Sequence, residues 1–228
     1  MGKMRPQVLE QELLETLPHD HPDALANRLD IEFLNAVMGN FRWFRQQLRE
    51  LARPGDSIVE LGSGDGTLIH FVAEREPDLV PQWTGLDLAP RPELLPAEVS
   101  WVQGDFFDAA GPAREALGKA DVVVANLILH HFTDAQLRDQ FAASLRQARV
   151  LLISEPARHW HHVQSGRLLD AILGFHPVTT HDMRVSIQAG FRTGELPRVL
   201  GLDPTEWDIW ESSSFFGSCR LRAVRNSR

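Results

Sequence analysis

The spacing of hydrophobic positions changes character at Ser57. Before it, Leu34, Val37, Met38, Phe41, Phe44, Leu48 and Leu51 recur at three- and four-residue intervals. That period predicts helix over residues 22–52, with Gly39-Asn40 marking a bend or a break. Arg53-Pro54-Gly55-Asp56 then punctuates the chain. Beyond it, short apolar runs appear at SIVEL (57–61), WTGLD (83–87), VSWV (99–102), DVVVAN (121–126) and VLLIS (150–154). Helical stretches at 67–75 and 134–147 separate them, the second opened by the capping box Thr133-Asp134-Ala135-Gln136. Strands alternating with helices predict a parallel, doubly wound α/β sheet. The end differs: WDIWESSS and FGSCRLRAV, over 207–224, predict an antiparallel hairpin on the sheet edge. The expected organisation is a helical cap segment at 1–54 and a core at 55–228 that folds as one unit.

Composition narrows the class. The 228 residues fit one domain, and 43% hydrophobic with 24% charged is ordinary for a globular protein. No apolar stretch approaches the ~20 residues of a membrane span. MGKMRPQVLEQELLETL lacks the apolar centre of a signal peptide, and Pro6 stands where N-myristoylation wants Ser or Thr. The lone Cys219 excludes an internal disulfide and cysteine-rich metal cradles, so a reducing cytoplasm is expected. A net charge of −8 opposes attraction to nucleic acid; the basic RLRAVRNSR reads as an edge strand and tail. A small-molecule partner is expected.

The chemistry concentrates in VELGSGDGTL, Val59 to Leu68, which reads as strand, glycine turn and helix start. The spacing Gly62-x-Gly64-x-Gly66 is not the G-x-G-x-x-G of dinucleotide binders. Glu60, just before the turn, is badly placed for a pyrophosphate and well placed for a cation. S-adenosylmethionine, with its ammonium and sulfonium, suits it. Asp87 ends the second strand about twenty residues on, where a carboxylate accepts ribose hydroxyls. Asp105, in GDFFD, is placed to meet an adenine amino group, and Phe106 to pack on its ring.

These pieces, with A-N-L-I-L-H-H-F and V-L-L-I-S-E-P, make the chain from Asp56 to about Arg225 resemble the class I S-adenosylmethionine-dependent methyltransferases. The resemblance implies a Rossmann-like seven-stranded sheet of order 3-2-1-4-5-7-6, its last strand antiparallel. It implies a cofactor site of Glu60, Gly62, Ser63, Gly64, Gly66, Asp87, Leu88, Asp105, Phe106 and the backbone of Asn126. The N-terminal stretch LDIEFLNAVMGNFRW is similar to the helical preface of small bacterial, ubiquinone-biosynthesis-like members, which would cover the cofactor, with Arg42 and Trp43 as pocket contacts or plain helix residues.

The acceptor is less defined. Asn126 is not followed by the P-P-Y/F of base-methylating enzymes, and it is a poor magnesium ligand where catechol-type enzymes place an aspartate. I-L-H-H-F-T-D-A is similar to the I-L-H-D-W-S-D of hydroxyl-directed methyltransferases, which selects His130 as a base, with an unperturbed pKa near 6.5. Pocket lining and a structural hydrogen bond are the competing roles. No metal is expected: His159, His161 and His162 are read as a loop at the substrate mouth. Glu155 either orients an acceptor or pairs with a histidine, or is a solvated strand end. A lid is assigned to the stretch holding His176, His181, Asp182 and Arg184, and sheet packing to Trp207–Trp210. The leading function is methyl transfer to a hydroxyl of a small organic molecule. Transfer to carbon or nitrogen, or non-catalytic binding of S-adenosylmethionine, stays open, and a nicotinamide dehydrogenase is disfavoured by the glycine spacing.

Overall fold

The computed structural model describes residues 7–18, 20–145 and 147–226. The myristoylation reading at residues 1–6, Arg146 in the expected 134–147 helix and the last two residues of the basic tail lie outside them.

The predicted period breaks where Gly39 adopts φ 71°, a left-handed conformation that glycine takes without a Cβ penalty. It separates α1 (Pro22–Met38) from α2 (Asn40–Leu51). Then follow β1 (Ile58–Leu61), α3 (Thr67–Ala73), β2 (Trp83–Asp87), β3 (Ser100–Gln103), α4 (Pro112–Gly118) and β4 (Val122–Asn126). The capping box forms as expected, with Thr133 Oγ1 accepting from the Gln136 backbone. It opens α5 (Asp134–Gln136), which continues through a π-helical turn at Leu137–Phe141 into α6 (Ala142–Ser144). The rest is β5 (Val150–Pro156), α7 (Trp160–Leu173), α8 (Pro177–Ala189), α9 (Glu195–Val199), β6 (Trp207–Ser213) and β7 (Ser218–Arg225).

The seven strands are ordered β3-β2-β1-β4-β5-β7-β6, parallel except for β7, which runs antiparallel to β5 and β6. The two faces explain the unbroken apolar runs. Val122 and Val124 pack with α2 and α3 on one side, through Phe44, Leu48, Leu68 and Val72. Val123 and Ala125 face the other side, with Phe141, Phe191 and Leu196. A parallel sheet covered on both faces requires this pattern. Thus α2 is one of the sheet's own covering helices, whereas α1 lies at the carboxyl ends of the strands.

Two readings are corrected here. Residues 160–173 form a helix where a loop was expected, and residues 177–189, in the stretch assigned to a lid, are helical. They pack closely because Gly166 lets Met183 approach: a Cβ there would lie 3.2 Å from the Met183 sulfur. Trp207 is buried in the core, as sheet packing predicts, but Trp210 is about half exposed.

Candidate active site

At the end of β1 the chain turns through Gly62, Gly64 and Gly66, all at positive φ. Gly62 also has no room for a side chain, since a Cβ would sit 2.7 Å from Ile128. Asp87 braces the turn: Oδ2 accepts from Gly64 N at 2.8 Å and Oδ1 from Ala89 N at 2.8 Å. Each carboxylate oxygen keeps a lone pair for a ligand hydroxyl. Glu60 is buried, and its Oε2 has no hydrogen-bond partner among the described residues. Burial, with the Asp87 carboxylate nearby, pushes its pKa up to about 8. A buried, unpartnered carboxyl beside a bare glycine turn is the complement of an ammonium group. These residues therefore fit S-adenosylmethionine.

Asn126 ends β4 facing α1. Its Nδ2 donates to Asn35 Oδ1 at 3.1 Å, and its Oδ1 accepts from Asn40 Nδ2 at 3.3 Å. Asn40 Oδ1 in turn accepts from the hydroxyls of Ser154 and Ser218. This buried amide network seats the α1–α2 corner on the strand ends.

The next residue, Leu127, has φ 58°, the one positive φ at a non-glycine among the described residues. Such strain costs about 1–3 kcal/mol and persists only where its surroundings enforce it. Glu155 enforces it. Completely buried at the end of β5, its Oε1 accepts from Ile128 N and Leu129 N at 3.1 and 2.8 Å. Its Oε2 accepts from His130 N at 3.3 Å and lies 2.7 Å from His130 Nδ1. Glu155 is therefore not a solvated strand end but pairs with a histidine.

His130 is therefore 3% exposed, with Nδ1 on Glu155 and Nε2 facing Glu12 Oε1 at 3.5 Å. Burial opposes a charge on the ring, but the two carboxylates outweigh it and push the imidazole up to about 9. The expectation of an unperturbed ring near 6.5 is corrected: in this conformation His130 is a held cation. Glu12 comes from the N-terminal segment, which is pinned by Asp182 accepting from Leu13 N and Leu14 N at 2.7 and 3.0 Å. The neighbouring His131 points to Glu15, with Nδ1 2.7 Å from Oε1.

One cavity of about 1220 Å³ connects these parts. Glu60, Gly62, Ser63, Gly64, Asp87, Leu88, Asn126 and His130 all line it. Gly66, Asp105 and Phe106 do not. Gly66 instead caps α3. Asp105 is exposed, its Oδ1 accepting from Phe107 N, and Phe106 is buried edge-on to Phe132 and Phe141. His162 lines the cavity from α7, and burial followed by its His161 and His159 neighbours lowers its pKa to about 4, so it stays neutral. Arg42 and Trp43 do not line the cavity; Trp43 packs in the sheet-side core.

Glu12, Asp182 and Asn40 were not foreseen as site residues. Only α8 had a legible marker: His176-Pro177 repeats the His21-Pro22 start of α1, and in both the imidazole Nδ1 accepts from the helix's first turn.

A family model described as a methyltransferase domain matches residues 36–186. The chain belongs to that methyltransferase-domain family, and its sheet order is that of the class I S-adenosylmethionine-dependent methyltransferase fold. It is 33% identical over 132 residues to the O-methyltransferase CTB2 of Cercospora nicotianae, a match covering 53% of this chain and 28% of that protein. The fold is similar to the plantazolicin methyltransferase BpumL, solved with a monoazolic desmethylPZN analogue and SAH, at TM-score 0.63 and 12% identity over 90% of this chain and 88% of that one. An O-methyltransferase family protein from Burkholderia thailandensis gives 0.52 and 20% identity over 86% and 59%. Among the described residues no helix is long and apolar enough to cross a membrane.

Proposed function

We propose that the protein methylates a hydroxyl oxygen of an apolar small molecule. The observation that carries this is the single cavity running from the Gly62–Gly64 turn to His130, with an apolar mouth. Leu25 and Leu29 of α1, Leu168 and Ile172 of α7, and Phe215 and Phe216 of the β6–β7 turn line it while remaining about half exposed or more. An apolar acceptor covers such a surface, and its burial is favourable by ~25 cal/mol per Å².

Glu60 meets the ammonium of the cofactor, Asp87 its ribose hydroxyls, and the glycine turn admits its chain. When bound, the cofactor supplies an electrophilic methyl group on a sulfonium. The protein's task is then alignment and removal of the hydroxyl proton. Glu155 holds His130 by Nδ1 so that Nε2 faces the cavity, as the carboxylate of a hydrolytic triad holds its histidine. Glu12 stands where the acceptor hydroxyl would come. Displacing it removes one of the two carboxylates that keep the ring protonated; the Nε2 proton leaves to the departing Glu12 carboxylate or to solvent, and the freed Nε2 lone pair then takes the hydroxyl proton. The name of the curated relative, an O-methyltransferase, supports oxygen as the acceptor atom.

Incubation with labelled S-adenosylmethionine and a panel of phenols, quinols, amines and carboxylates tests this. Label on a phenolic or quinol oxygen is the expected result. Transfer confined to nitrogen or carbon refutes the oxygen assignment, and cofactor binding with transfer to no acceptor favours a binding protein.

A further inference from the structure

Glu12 is 7% exposed and His130 3%, yet the 3.5 Å between Oε1 and Nε2 is too long for a charge-assisted hydrogen bond, which closes to ~2.7–2.9 Å. The other two histidine–glutamate contacts at this place, His130–Glu155 and His131–Glu15, both close to 2.7 Å. The wide gap has a metrical match: two ligands at ~2.1 Å from one tetrahedral ion stand about 3.4 Å apart. One ligand atom each from Glu12, His130 and His131 lies within 4.8 Å of the others.

The surroundings complete the pattern. A metal-bound imidazole nearly always donates its far N–H to a carboxylate, which fixes its tautomer and raises its basicity. His130 has Glu155 in that place. The Ser186 hydroxyl donates to Glu12 Oε1, and Asp182 anchors the backbone that carries Glu12. The His130 and His131 rings lie 4.2 Å apart, tilted by 35°. A smaller cavity of about 160 Å³ is also lined by Glu10, Glu12, Glu15, His130 and His131.

We infer that Glu12, His130 and His131 form a binding site for one divalent first-row transition-metal ion, of the zinc or manganese kind. Two imidazoles and a carboxylate suit that class, and a three-ligand set leaves positions open for water or an acceptor oxygen. The consequence for catalysis rests on the proposed hydroxyl methylation: the ion occupies the nitrogen otherwise available as a base, and it lowers the pKa of a hydroxyl that coordinates it.

The test is metal binding to the full chain, stripped with chelator, without cofactor or acceptor. Zn²⁺ titration by calorimetry and Co²⁺ titration by visible absorption are expected to show one ion per chain, proton release on binding, and ligand-field bands of a low-coordinate cobalt ion. Glu12→Gln and His131→Asn are each expected to weaken binding at least ~10-fold. An unchanged S-adenosylmethionine affinity confirms that the variants are folded. Absence of stoichiometric Zn²⁺ and Co²⁺ binding, or equal affinity in both variants, overturns the site. Those results leave the methyltransferase reading intact, because the acceptor panel judges that separately; metal binding with no oxygen methylation would do the reverse.

Discussion

Glu155 Oε2 lies 2.7 Å from His130 Nδ1, while the same carboxylate holds three successive backbone N–H groups of the segment that carries His130. One side chain of β5 thus sets the position of the β4 loop, the tautomer of its histidine and the direction of Nε2.

Glu155→Gln keeps the shape but sets an amide against the ring N–H. Turnover is expected to fall by about 100-fold to 10,000-fold through the wrong tautomer, with S-adenosylmethionine affinity little changed. Unfolding stability should drop by about 1–3 kcal/mol as buried N–H groups lose a charged acceptor. Steady-state kinetics and a denaturant melt check this; a loss confined to KM would contradict the positioning role.

Of the two adjacent histidines, only His130 is held by Glu155. His130→Ala should lower turnover by at least ~100-fold, the low end for loss of a general base, with cofactor binding intact. His131→Ala should cost less; a larger loss would reverse the choice between them.

Gly62→Ala combines a strained φ of 61° with a Cβ 2.7 Å from Ile128. Cofactor affinity is expected to fall at least ~10-fold, about 1.4 kcal/mol. Adding Ile128→Ala should recover only part of it, because the contact is relieved and the backbone strain is not. Full recovery in the double variant would show that φ is not limiting.

Glu60, with its pKa raised to about 8, makes cofactor binding depend on pH. Between its ordinary value of 4.5 and about 8, the folded protein holds a proton that the unfolded chain has released. Its contribution to stability therefore falls as pH rises through that window and is level above it. A cationic ligand favours the ionised carboxylate, so binding at pH 7 should release a proton. Affinity should rise by up to ~10-fold per pH unit from 6 towards 7.5, before the ligand's own amino group begins to lose its charge. Calorimetry in buffers of different ionisation enthalpy reads the proton directly, and Glu60→Gln should abolish both effects.

The glycine turn and the strand ends were legible because their signals are local. Glu60, Gly62, Gly64 and Asp87 belong to a short strand–turn–helix and the next strand, and all line the cavity. Asp105 and Phe106 were placed by the same sequence logic, yet Phe106 turns inward. A core of Phe107, Phe132 and Phe141, from later in the chain, offers it more contact than a pocket wall. Helix α7 was missed because its buried face is narrow: only His162 and Gly166 are buried along it. A helix lining a cavity with apolar side chains has no clean amphipathic period to read.

What the sequence determined by itself is the order of elements, the sheet they form and the ligand type its first turn admits. Period, turn residues and helix caps act over a few residues, so they are written where they act. What only the tertiary structure decided is the state of His130. Its two carboxylates stand 25 positions after it and far before it in the chain, at Glu155 and Glu12. No local pattern encodes that meeting; it exists because β5 pairs beside β4 and Asp182 of α8 pins the N-terminal segment across them. The two carboxylates then turn proximity into charge, outweighing the burial that opposes it, so the ring cannot keep its solution pKa.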